Sequence, residues 1–189
     1  MPPQRSASLD ALLDRAQGYA EYAMRNIGHV PPALLAASPV GSIHLMPDSL
    51  EDERSKNTFA NTARLICVGY GVTAAVLVVE AWMKVAKPGE RLDPTERPSE
   101  AFDRCEIVML MEETAEGGMQ RLLPIIRTDA GGFFGFGEYD DPKLDHIKGR
   151  FSQILPPKTP DAESRELARA ALAAMGISEN TVFGNAQSN

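Results

Sequence analysis

The sequence is short of several things, and each shortage removes a class of answer. It has two cysteines, Cys67 and Cys105, and no CxxC. That is too few for a disulfide framework or a thiolate metal centre, so the pair reads as two buried thiols in a reducing compartment. Histidine is scarce too: His29, His44 and His146 stand alone, with no HxH or HExxH, and no metal site is expected. GxSxG is absent, as is a plausible Cys–His nucleophile pair. The Gly69-Tyr70-Gly71 stretch follows a helical pattern and precedes a strand pattern, the reverse of a dinucleotide loop. No cofactor is implied.

Basic residues are outnumbered, 19 Lys and Arg against 26 Asp and Glu, for a net charge of −7, and they form no cluster. A chain of that sign gains nothing from the counterion release that drives binding to nucleic acid, and anionic lipid repels it. The uncharged run over residues 65–79 is shorter than the ~18–20 residues of a membrane span, and Gly69 and Gly71 interrupt it. The first ten residues lack the apolar core of a secretion signal. The expectation is a cytoplasmic protein that binds neither nucleic acid nor membrane.

What is present is organised around residues 73–85 (TAAVLVVEAWMKV), which hold the longest apolar run and the only Trp. β-branched residues at Val76, Val78, Val79 and Val85 suit a buried pleated surface. Strand alternation puts Ala75, Leu77, Val79, Ala81, Met83 and Val85 on one side. Val76, Val78, Glu80, Trp82 and Lys84 fall on the other.

Before it, Ser8 can open a helix to about Ile27 with a stripe of Leu9, Leu12, Leu13, Ala16, Ala20, Met24 and Ile27, stopped by Gly28. Residues 33–37 and 42–46 read as a hairpin around Ser38-Pro39-Val40-Gly41. Ser49 with Asp52 resembles a capping box for a second helix whose stripe is Phe59, Ala63, Ile66, Cys67 and Tyr70.

Residues 86–103 form a charged loop with three prolines, either disordered or a lid. Residues 105–113 and 119–128 read as a hairpin turning at Gly117-Gly118, and residues 133–139 as a further strand. Pro124 implies an edge or bulge in its strand, because it cannot donate to a ladder. After a loop over 140–160, Asp161 can cap a final helix with a stripe of Leu167, Ala170, Ala171, Ala174 and Met175.

The expected fold is α+β: a mostly antiparallel sheet of about five to six strands with helices packed on one face, in two layers. Its limits are a disordered lead at 1–7, one domain over 8–177 and a flexible tail at 178–189. With the first two helices on the odd face, the even face keeps Glu80, Trp82 and Lys84. A two-residue turn at Gly117-Gly118 adds Val108, Leu110 and Ile125 in its middle and Glu106, Glu112, Arg121 and Arg127 toward its rim, and parity adds Phe134 and Phe136. Such an aromatic and aliphatic centre fringed by charge needs a cover: the final helix, a second copy or another molecule.

Two functional readings follow. One is a non-catalytic interaction or regulatory protein that meets a protein partner or its own copy through Trp82, Lys84, Arg121, Arg127, Phe134 and Phe136. The other is a small hydrolase-like enzyme with Glu80, His44, Asp103, Arg104 and Glu106 around a cleft under the 86–103 loop, where a partly buried Glu80 could serve as acid or base. A plain ion pair of Glu80 with Lys84 or a neighbouring Arg is the simpler fate of that carboxylate. Glu80-Ala81-Trp82-Met83, and Pro98-Ser99 followed by Asp103-Arg104 and Glu106, resemble short prokaryotic proteins of uncharacterised function carried by phages and mobile elements. The resemblance covers roughly the middle third of the chain, implies no activity and transfers no catalytic residue.

Overall fold

The 73–85 run is a strand, and the sheet extends outward from it on both sides. The computed structural model of the chain describes residues 7–47, 49–84, 89, 91, 93, 95–138 and 150–183. Expectations for 1–6, for Val85, for much of the 86–103 loop and for 139–149 and 184–189 lie outside the described residues. Helix α1 (Ala7–Asn26) leads into a hairpin, β1 (Ala33–Ser38) and β2 (Gly41–Leu45). Helix α2 (Glu53–Gly69) precedes β3 (Ala74–Met83), the expected central strand. A hairpin of β4 (Cys105–Thr114) and β5 (Gly117–Arg127) follows, then β6 (Phe133–Phe136), α3 (Ala162–Ala174) and α4 (Glu179–Phe183). The six strands lie in the order β2-β1-β3-β4-β5-β6, every pair antiparallel. The fold is α+β, as its apolar periodicities foretell.

The placement of the helices differs from expectation. α1 and α2 pack on opposite faces, so the sheet is covered on both sides rather than in two layers. α1 lays Leu9, Leu12, Leu13, Ala16, Ala20 and Met24 on Val76, Val78, Val108, Leu110 and Leu123. α2 lays Phe59, Ala63, Ile66 and Cys67 on Leu34, Ala36, Ala75, Leu77 and Met111. The cause is legible in β3 itself. Its first five residues are buried whichever side they face, and only from Val79 onward does burial relax. A strand apolar on both sides needs two covers. Each large side chain so buried stabilises the fold by about 1.5–3 kcal/mol.

Several local expectations also shift. The cap of α2 is Asp52, whose carboxylate accepts from Ser55 N while Ser55 Oγ accepts from Asp52 N; Ser49 stands outside that box. The β4–β5 turn is Ala115-Glu116, not Gly117-Gly118, since Thr114 pairs with Gly117. Pairing moves by four residues, an even number, so each side chain keeps its predicted face. Pro124 marks the handover of β5: its pairing with β4 ends there, β6 begins at Ile125, and the bulge follows at Ile126/Arg127. β6 itself stops at Phe136.

The expected stripe of α3 is displaced. Ala168 and Leu172 are buried, whereas Leu167 is 65% exposed. The helix docks on α2 at Gly69, where an added Cβ would sit 3.2 Å from Arg169 Cγ. Packing continues past residue 177, because α4 buries Val182 completely and sets Phe183 edge-on to Tyr70, 5.0 Å between ring centres. Cys67 is buried as expected, but Cys105, at the outer end of β4, is exposed.

Candidate functional site

At its C-terminal end β3 leaves the cover of α1, and here the chemistry-bearing residues gather. Each is bound to a neighbour. Glu80 accepts from the backbone N of Val30 at 2.7 Å, a partner other than the Lys84 or Arg foreseen for it. Lys84 bridges Glu96 at 2.7 Å and Asp103 at 3.5 Å, and these carboxylates hold its ammonium pKa above the ordinary value. Arg127 Nε donates to Glu106 at 2.5 Å, which likewise raises the guanidinium pKa. Arg104 lies over the Trp82 ring, 4.5 Å from its centre, and donates to the Ser99 carbonyl. These contacts fasten the described end of the 86–103 loop to the sheet, with a 3-10 turn at Pro98–Glu100 and Ala101 buried.

The proposed catalytic set is divided, because His44 stands apart from the carboxylates at the end of β3. His44 lies opposite Leu35, which lies opposite Val76, so His44 and Glu80 are two strands and four residues apart. On sheet spacings that is about 16 Å. His44 instead meets Tyr19 edge-on at 5.4 Å, and partial burial together with the Arg15 charge lowers its pKa. Two clefts, of about 900 and 530 Å³, have none of Glu80, His44, Asp103, Arg104 or Glu106 in their walls. A hydrolytic site needs at least two such groups at a common pocket.

The expected binding set divides as well. α1 seals the centre of the even face. Arg121 pairs with the buried Glu112 at 3.8 Å. The bulge splits the two phenylalanines: Phe136 joins Phe133 against the α1 core, 5.0 Å between rings, and Phe134 is left 69% exposed. Parity counting cannot see a bulge, because one extra residue reverses the faces beyond it. Trp82 stays 39% exposed.

Two features were missed. Phe102 is 105% exposed, a whole ring outside the fold, two residues before the Arg that stacks on Trp82. The signal was a lone Phe in a run of charges. The second is a strap over residues 150–155. Arg64 donates to the carbonyls of Arg150, Ser152 and Gln153, and Glu113 accepts from the amides of Ile154 and Leu155 at 2.7 and 2.9 Å. The strap buries Ile154 in the α2-side core.

No protein-family pattern, curated protein or solved structure matches this chain. Among the described residues no cluster of His, Cys, Asp or Glu could hold a metal ion, and no helix is long and apolar enough to cross a membrane.

Proposed function

We propose that the protein is a non-catalytic interaction protein, and that the Trp82 end of its sheet meets another protein. The observation that carries this reading is Phe102, a fully exposed aromatic ring on a segment pinned by the Lys84–Asp103 and Arg104–Trp82 contacts. A pinned ring loses little freedom on burial by a partner, and Trp and Arg beside it are the residues that most often dominate binding energy. The surrounding charges are paired internally, so they orient a partner rather than anchor it.

The test places a photo-reactive phenylalanine analogue at position 102 of the full chain, irradiated in cells that make the protein naturally. One defined protein adduct is expected, lost in both Trp82→Ala and Arg104→Ala. Thermal stability should move little in Phe102→Ser, by less than about 0.5 kcal/mol, as for other exposed sites. Sedimentation of the wild type tells whether the adduct is a second copy. No adduct, or one indifferent to both substitutions, would count against the reading.

A further inference from the structure

Resting on the docking reading of the Trp82 end, we infer the chemistry of the partner: a segment of another protein that lays an Asp or Glu carboxylate along Arg104 and takes Phe102 into an apolar recess beside it. The first observation is how the charges of this end are disposed. Lys84 bridges Glu96 and Asp103, Arg127 holds Glu106, Arg97 lies 3.9 Å from Glu100, and Glu80 accepts from Val30 N. Arg104 is different. Its guanidinium stacks on the Trp82 ring and donates through Nη1 to the Ser99 carbonyl. Among the described residues no carboxylate pairs with it, and its Nε and Nη2 meet no acceptor.

The second observation is how that guanidinium is held. The Trp82 face and the Ser99 carbonyl fix its plane, so the remaining N–H donors of the planar fork are already oriented. Such a fork matches the two oxygens of a carboxylate, and Arg104 is exposed to receive one. Phosphate fits less well. Asp103 precedes Arg104 and Glu106 follows two residues on. A group of nearly two negative charges meets more repulsion there than a carboxylate of one.

The third observation is the apolar half of the surface. Phe102 is fully exposed, and Trp82 is 39% exposed. Phe102 and Arg104 follow directly on the Pro98–Glu100 turn and the buried Ala101, so both are held in place before a partner arrives. An acid beside apolar residues complements the two. A second copy does not, because symmetric pairing repeats the same patch, and the carboxylates of that patch named above are already engaged.

The probe is an acetylated, amidated heptapeptide of Leu, Ala and Glu, titrated into the full chain and followed by the fluorescence of Trp82, the single Trp. A saturable change is expected. Its midpoint should rise several-fold when Gln replaces Glu in the peptide, and added salt should raise it too. Arg104→Lys keeps the charge but loses the fork, so the difference between the Glu and Gln peptides should shrink. Phe102→Ser should weaken both peptides alike. Should either variant unfold, the comparison of the two peptides on the wild type still decides. Equal binding of the two peptides, an unchanged difference between them in Arg104→Lys, or no binding at millimolar Glu peptide overturns the inference and leaves the docking reading to its cellular adduct at position 102. Tighter binding of a phosphoserine peptide gives Arg104 to phosphate and also overturns it. Absence of the adduct removes the docking reading, and the inference with it.

Discussion

α1 crosses one face of the sheet as a single piece of chain, whereas α2, the 150–155 strap, α3 and α4 tile the other. The single helix reaches from β2, where Arg15 donates to Ser42, to β6, where Arg25 lies over the Phe133 ring. Its buried stripe is continuous. The tiles beyond α2 each bury little: Ile154 in the strap, Ala168 and Leu172 in α3, Val182 in α4. Polar contacts hold them in place instead, through Arg64, Glu113 and the Arg169 bond to the Gly69 carbonyl. A cover with few apolar contacts opens piecemeal, while a continuous one opens only with the sheet.

Core truncations on the two faces break or sharpen that contrast most strongly. Leu12→Ala and Leu172→Ala remove the same atoms from sites of 3% and 0% exposure. Leu12→Ala should lower global stability by about 2–5 kcal/mol, seen as a drop in urea midpoint with unchanged slope. Leu172→Ala should spend much of its cost locally, exposing α3 and α4 amides to exchange while β3 and β4 stay protected. Equal, fully global losses from both would mean that the tiled face is no looser than the helical one.

A smaller effect comes from cutting one latch. Glu113→Ala leaves the amides of Ile154 and Leu155 without their acceptor. The cost is about 1–3 kcal/mol for each group that stays buried, or less if the strap lifts into water. Lifting has a built-in reporter. Burial, and secondarily the charge of Glu113, push the Cys67 thiol up to about 12, so it should resist modification in the native protein while exposed Cys105 reacts. Glu113→Ala should speed labelling of Cys67 at least several-fold and leave Cys105 unchanged. An unchanged Cys67 rate would show that the strap is held by its apolar contacts alone.

The sequence conveys the two faces unequally for the same physical reason. The stripe of α1, the β1–β2 hairpin and the apolar centre of β3 are local periodicities, and each matches the structure closely, except that Ile27 lies past the end of α1 and is exposed. The tiled face depends on contacts such as Arg64 to Arg150 and Glu113 to Ile154, across dozens of residues, and no periodicity records them. The candidate site suffered from a different blindness. Glu80 and Trp82 share the face of Val76 and Val78, but that face was expected to be clear of the first two helices and instead lies under α1, a cover that Val76 and Val78 already called for. A single bulge in β6 was enough to leave Phe134 outside, while Phe136, on its expected face, packs against the core that α1 covers.

Acid should separate the two faces with the smallest effect. His44 lies on the α1 face, its pKa held below 6.5 by partial burial and then by the Arg15 charge. A histidine depressed in this way favours the folded state above 6.5, and that contribution is lost as pH falls through the lowered value. The caps of α2 and α3 titrate later. Hydrogen bonds from Ser55 and Ser164 hold Asp52 and Asp161 below 3.8, so their contribution persists above 3.8 and disappears as pH falls beneath it. Lowering the pH from 8 should therefore relax the contacts between α1 and β2 before it frays α2 and α3. Amide exchange at pH 7.5, 5.5 and 3, corrected for intrinsic rates, reads the order directly, and His44→Phe should remove the first step only. If α2 and α3 loosen first, or if both faces loosen together in the substituted chain, then acid acts through the whole sheet and the two covers are not independent.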